Sequence, residues 1–89
     1  MATHESSLGE FVETIRSRED LAGFVRDLIN DLGARPGEWE NNRLETYLEA
    51  LAAWVEDMEG YYQNRGEEAP QEPSWKLLGE ILLAAKFYE

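Results

Sequence analysis

The stretch Leu44–Tyr62, LETYLEALAAWVEDMEGYY, decides the fold. Within it Leu44, Tyr47, Leu48, Leu51, Trp54, Val55, Met58 and Tyr62 recur at three- and four-residue steps. At about 100° per residue they fall in a sector of roughly 120°, while Glu45, Glu49, Glu56 and Glu59 gather within about 80° on another side. The spacing predicts one helix from near Asn42 to about Tyr62 or Asn64, with its apolar side hidden and its glutamate side in water. Gly60 is a weak point inside it, costing about 1 kcal/mol relative to Ala. Gly66 is placed to terminate it.

Working outward, three pairs have the spacing of capping boxes: Ser7 with Glu10, Ser17 with Asp20, and Asn42 with Glu45. The first introduces a short stripe, Leu8, Phe11, Val12 and Ile15. The β-branched residues Val12, Thr14 and Ile15 leave residues 8–15 open to either a helix or an extended strand. The second introduces Leu21, Phe24, Val25, Leu28, Ile29 and Leu32, a three-four alternation expected to be helical and buried, with Gly33 closing it in a left-handed cap. Gly33–Gly37 reads as a turn in which Pro36 stops the helix. Beyond the central stretch, Glu67–Pro73 is a polar loop, and either Pro73 or Ser74 starts a last helix. Trp75, Leu78, Ile81, Leu82 and Ala85 are expected to form its buried stripe, with Leu77, Phe87 and Tyr88 beside it. The expected architecture is all-α: a compact bundle of three to four helices forming a single domain over residues 1–89, with residues 1–6 frayed.

Nineteen acidic side chains against eight basic ones give a net charge of −11. Binding to a nucleic-acid backbone draws on Lys and Arg displacing counterions, so nucleic acid is disfavoured as a partner, and anionic membrane likewise. The charge serves solubility, and it also steers encounter with a basic protein. Met1–Ser7 has neither an apolar run nor a basic flank, so no signal peptide is expected. The longest apolar runs, Ala50–Val55 and Ile81–Ala85, fall far short of the roughly 20 residues that span a bilayer. With no cysteine there is no disulfide framework, which fits a reducing compartment. A cytoplasmic protein is the expectation.

Catalytic chemistry finds little material. His4 is the only histidine and lies near the N-terminus, and there is no cysteine, so the usual general base, nucleophile activator and soft metal ligand are missing. Gly33-Ala34-Arg35-Pro36-Gly37 lacks the lysine and hydroxyl residue of a phosphate-binding loop. No Glu is followed three residues later by His, as a di-iron bundle needs, and Asp57-Met58-Glu59-Gly60-Tyr61 fails as a calcium loop. No enzymatic role, cofactor or metal is expected. Among the aromatics, Trp54 and Trp75 are expected in the core. Trp39 is expected to fold back as a staple over one end of it, a surface anchor being the alternative. Tyr61 and Tyr62 point to different sides of their helix, so one is expected buried and the other near the edge. Beside them lie Asp57, Glu59, Glu67, Glu68 and Glu72. Tyrosine contact area ringed by carboxylates suits a basic protein surface, and these seven residues form the candidate binding site.

From Trp39 onward the chain resembles a family of short bacterial proteins known only as a domain of unknown function. The matching pieces are Trp39-Glu40-Asn41, Leu48-Glu49-Ala50 with Ala53-Trp54, Asp57-Met58-Glu59-Gly60-Tyr61-Tyr62, Ser74-Trp75, and Leu83-Ala84-Ala85 with Tyr88-Glu89. This implies a shared fold and no particular activity. Tyr61-Tyr62 followed by Glu67-Glu68-Ala69-Pro70 is also similar in order to the paired tyrosine and acidic loop of the immunity proteins that neutralise bacterial DNase toxins. In that family the tyrosines sit on a separate short helix, whereas here they end a long one. The expected function is a non-enzymatic module binding a basic protein, in its most concrete form an inhibitor of a basic toxin or nuclease. The alternative is a structural, self-associating protein, a homodimer with Trp39, Phe87 and Tyr88 in its seam.

Overall fold

The computed structural model describes residues 4–88, with side chains from residue 8 onward. Four helices follow one another: α1 (His4–Glu13), α2 (Arg18–Ala34), α3 (Leu44–Asn64) and α4 (Trp75–Phe87). A single 3-10 turn, Pro36–Glu38, lies between α2 and α3. The described residues contain no strand, and the all-α bundle expected from the sequence is the fold.

α1 begins at His4, so Ser7 lies inside the helix rather than capping it. Residues 1–3 of the expected frayed segment lie outside the described residues. The ambiguity over residues 8–15 resolves as helix to Glu13, followed by a turn in which Thr14 N–H donates to Phe11 O at 2.9 Å. The second capping site performs as expected. Ser17 Oγ accepts from Asp20 N at 3.1 Å, and Asp20 Oδ2 accepts from Arg16 N at 2.9 Å, one residue earlier than the usual reciprocal bond. Gly33 does not close α2, which runs on through Ala34; its last turn is tied by Arg35 N–H to Asp31 O at 2.8 Å.

α3 is one unbroken rod of 21 residues, passing through Gly60 without interruption. Its N-cap is Arg43, with no side-chain cap, so the Asn42 box does not form; Asn42 Nδ2 donates instead to Pro36 O at 3.3 Å. Gly66 ends it as expected: at φ +73° it lets its own N–H reach Gln63 O at 3.0 Å and the Glu67 N–H reach Tyr62 O at 2.9 Å, the paired bonds of a Schellman motif. Ser74 rather than Pro73 starts α4, its Oγ accepting from Leu77 N at 3.0 Å.

The packing explains where the sequence-based core was misplaced. Among the described residues, α4 approaches α1, α2 and α3, whereas α4 is the one helix whose Cα atoms come within 8 Å of those of α3, and Tyr47 of α3 also packs on Trp39. α3 therefore buries a narrow line, Ala50, Trp54 and Tyr62, with Tyr47, Leu51 and Met58 half-covered. The edge of the expected wall, Leu44, Leu48 and Val55, faces outward, Leu44 at 73 % exposure. Glu45, Glu49, Glu56 and Glu59 all face water. α4, surrounded on several sides, has no single stripe: Leu77, Gly79, Ala85 and Lys86 are buried all round its axis. Trp75 and Leu78, expected inside, are exposed on the first turn of α4, where they line an open hollow with Ile15 and Arg16 from the turn between α1 and α2. The main core joins Leu8, Val12 and Ile15 of the N-terminal segment to Phe24 and Leu28 of α2 and to Trp39.

Candidate functional site

Because, among the described helices, α3 comes close to α4 only, a channel with α4 residues in its lining runs along each side of it. The channel facing α2 is a slot of about 300 Å³ with Val25, Ile29, Leu32, Leu44 and Tyr47 on its walls and Leu28, Trp39 and Leu82 in its floor. Ile29, expected in the core, is 62 % exposed on its rim.

The channel facing α1 is wider, about 1190 Å³, and chemically different. Glu13 comes from α1; Glu56, Asp57, Glu59, Tyr61 and Arg65 come from the second half of α3 and its cap; Glu80, Leu83, Phe87 and Tyr88 come from α4 and its end. Aromatic contacts shape its wall. Trp54 and Tyr61 meet edge-to-face with centroids 5.3 Å apart, as do Tyr61 and Tyr62 at 5.1 Å. Of the paired tyrosines, Tyr62 is buried and Tyr61 is 39 % exposed, the division expected from their helical positions.

Hydroxyls fix two of the carboxylates. The Tyr62 hydroxyl donates to Glu80 Oε1 at 3.0 Å and the Tyr88 hydroxyl donates to Asp57 Oδ2 at 2.5 Å. Burial, and then the bond to Glu80, push the Tyr62 phenol well above its ordinary range; the bond to Asp57 raises Tyr88. Both phenols therefore stay protonated as donors at neutral pH. At the rim, the Arg65 guanidinium lies 5.4 Å from the centre of the Tyr61 ring, donates to the Tyr61 hydroxyl, and pairs with Glu67 Oε2 at 3.6 Å. Lys76 Nζ pairs with Glu13 Oε1 at 3.0 Å.

Of the seven residues singled out in the sequence, Asp57, Glu59 and Tyr61 line this groove. Tyr62 stands behind them, and Glu67 holds Arg65 at the helix end. Glu68 and Glu72 are exposed in the following loop and do not line the groove. Glu13 and Glu80 were missed, since no local spacing links α1 and α4 to α3. Among the described residues no three His, Cys, Asp or Glu side chains cluster as metal ligands do, and no helix is long and apolar enough to cross a membrane.

Away from the groove, the segment Trp39–Asn41 ties α4 to the rest of the molecule. Trp39 is buried as the staple reading expects, and its Nε1–H donates to Asp31 Oδ2 at 2.7 Å. Lys86 Nζ reaches the same oxygen at 2.8 Å, with both charged side chains fully buried. Asn41 Nδ2 donates to Ala85 O at 3.0 Å and Tyr88 O at 2.6 Å, and its N–H donates to Lys86 O at 3.2 Å, satisfying carbonyls at the end of α4. Asp31 had a legible signal: it follows Phe24 by seven residues and Leu28 by three, on the buried side of α2.

No curated protein and no solved structure matches the chain significantly. A family model does, over residues 17–89, from the N-cap of α2 through α4, and so takes in the Trp39–Asn41 tie and the tyrosine end of α3. The chain belongs to this family of unknown function (DUF7660).

Proposed function

We propose that the chain is a non-enzymatic helical module that binds a basic protein through the groove between α1 and α3. The observation carrying this reading is the meeting of carboxylates from three helices, Glu13, Asp57 and Glu80, in one groove whose wall exposes Tyr61 and Phe87. Carboxylates on a scaffold of net charge −11 accelerate encounter with a cationic surface, and the aromatic side chains provide stiff contact area once encounter has occurred. The same charge opposes binding to nucleic acid or an anionic membrane. An inhibitor of a basic toxin or nuclease is the most concrete form of such a module. The test is affinity capture from lysate at low salt, followed by a salt titration of the recovered complex. A basic partner whose affinity falls steeply with ionic strength is the expected result. Capture of no partner, or a complex indifferent to salt, contradicts it.

One observation favours self-association instead: Ile29 and Leu44 stay exposed around the α2–α3 slot, and Leu48, one turn further along α3, is exposed as well. With Trp39 buried, a homodimer seam would have to form there rather than at the Trp39, Phe87 and Tyr88 cluster. Sedimentation over a concentration series separates the readings, a monomer supporting the first and a stable dimer the second.

A further inference from the structure

We infer that the groove selects arginine over lysine, and that Arg65 is the resident stand-in for the partner's guanidinium; this rests on the basic-partner reading above. Among the described residues lining the groove, Arg65 is the one cation, and its guanidinium already lies over Tyr61, 5.4 Å from the ring centre, while donating to the tyrosine hydroxyl. The Arg65 side chain is 52 % exposed, at the open rim of the groove, and its carboxylate partner, Glu67, stands 3.6 Å away at the helix end. Elsewhere in the groove lining, tyrosine hydroxyls engage Asp57 through Oδ2 and Glu80 through Oε1, so one oxygen of each carboxylate lies outside that bond. A planar guanidinium uses both features at once, stacking on a ring while its forked N–H donors reach carboxylate oxygens. An ammonium is a strongly hydrated point charge that gains less from the ring. An arginine of the partner takes the place of Arg65 on Tyr61 and directs its donors toward Asp57.

The inference is tested by titrating the protein, at low salt, with the blocked peptides acetyl-Gly-Arg-Ser-Arg-Gly-amide and acetyl-Gly-Lys-Ser-Lys-Gly-amide, followed in 1H–15N spectra. The expected result is shifts at the Asp57, Gly60 and Tyr61 amides, with the arginine peptide at least about threefold tighter. Tyr61→Leu should erase the preference while both peptides still bind by charge, and Tyr61→Phe, which keeps the ring, should retain it. Arg65→Gln should strengthen the arginine peptide more than the lysine peptide, because it uncovers the ring as well as removing a charge. Equal affinities for the two peptides overturn the selectivity and leave the acidic groove standing. A loss of arginine binding in Arg65→Gln overturns the stand-in role. If neither peptide moves the groove amides, the basic-partner reading falls with it.

Discussion

Asp31 and Lys86 lie 55 residues apart in the chain, yet Lys86 Nζ and Asp31 Oδ2 meet at 2.8 Å with neither side chain exposed to solvent. The Trp39 indole donates to the same oxygen, and Lys86 Nζ sits 5.4 Å from its ring centre and 4.8 Å from that of Phe87. Arg35 Nη1 stands 3.8 Å from the second oxygen, Oδ1. One carboxylate thus joins α2, the following turn and the end of α4. Removing one member takes a close counter-charge from a fully buried ion, so Lys86→Met or Asp31→Leu should cost about 3–5 kcal/mol in urea denaturation. The double variant, which removes both charges of the pair together, should recover most of that loss. A double variant as unstable as either single one would show that the pair is not the unit of stability.

Gly79 tests the seat of α1. A Cβ built there stands 2.5 Å from Ile15 Cδ1 and 3.0 Å from Val12 Cγ2, both side chains almost fully buried. In a free helix Gly→Ala should gain about 1 kcal/mol. Here overpacking should reverse the sign and destabilise by about 1–3 kcal/mol, accompanied by faster amide exchange in α1. A Gly79→Ala protein of increased melting temperature would refute this close approach.

The outward turn of α3's apolar edge predicts an unequal mutational cost along one heptad-like stripe. Leu44→Ser and Leu48→Ser, at exposed positions, should change stability by no more than about 0.5 kcal/mol. Trp54→Ala, 4 % exposed, should cost about 3–5 kcal/mol. Thermal denaturation of the three variants distinguishes this arrangement from one in which the whole stripe is buried.

At alkaline pH the tyrosines decide stability. Burial pushes Tyr47 up to about 12, while its hydroxyl donates to Leu82 O at 2.6 Å, and Tyr62 is raised as well. An unfolded tyrosine ionises near 10, so above that pH the folded state holds more protons than the unfolded one. Their contribution is intact below pH 10 and declines as pH rises toward about 12. Urea midpoints should be level through neutral pH and fall above pH 10, and Tyr47→Phe should flatten that fall. An unchanged alkaline slope in Tyr47→Phe would contradict the assignment.

What the sequence made legible follows from range. The Ser17 and Ser74 caps, the Gly66 terminator and the rod of α3 rest on residues within one or two turns of each other, and all four are present. Asn42 and Gly33 carry equally good local signals but lose to tertiary demands: the chain around Asn42 is extended so that Asn41 can close α4, and α2 continues past Gly33 into the turn that delivers Trp39. Leu44, Leu48, Trp75 and Leu78 were misplaced because periodicity gives a direction on a helix but not the width of cover that neighbours supply. The groove was half legible. Asp57, Glu59 and Tyr61 are close in sequence, whereas Glu13 and Glu80 join them only through the central placement of α4.

The most direct test of the groove as the binding face compares two charge-matched double variants against a captured basic partner at one fixed low ionic strength. Asp57→Asn with Glu59→Gln removes two charges from the groove, and Glu45→Gln with Glu49→Gln removes two from exposed positions outside it. A large loss of affinity in the first and a small one in the second is the predicted result. Equal losses would mean that the partner responds to net charge alone, and the groove would have no special part in binding.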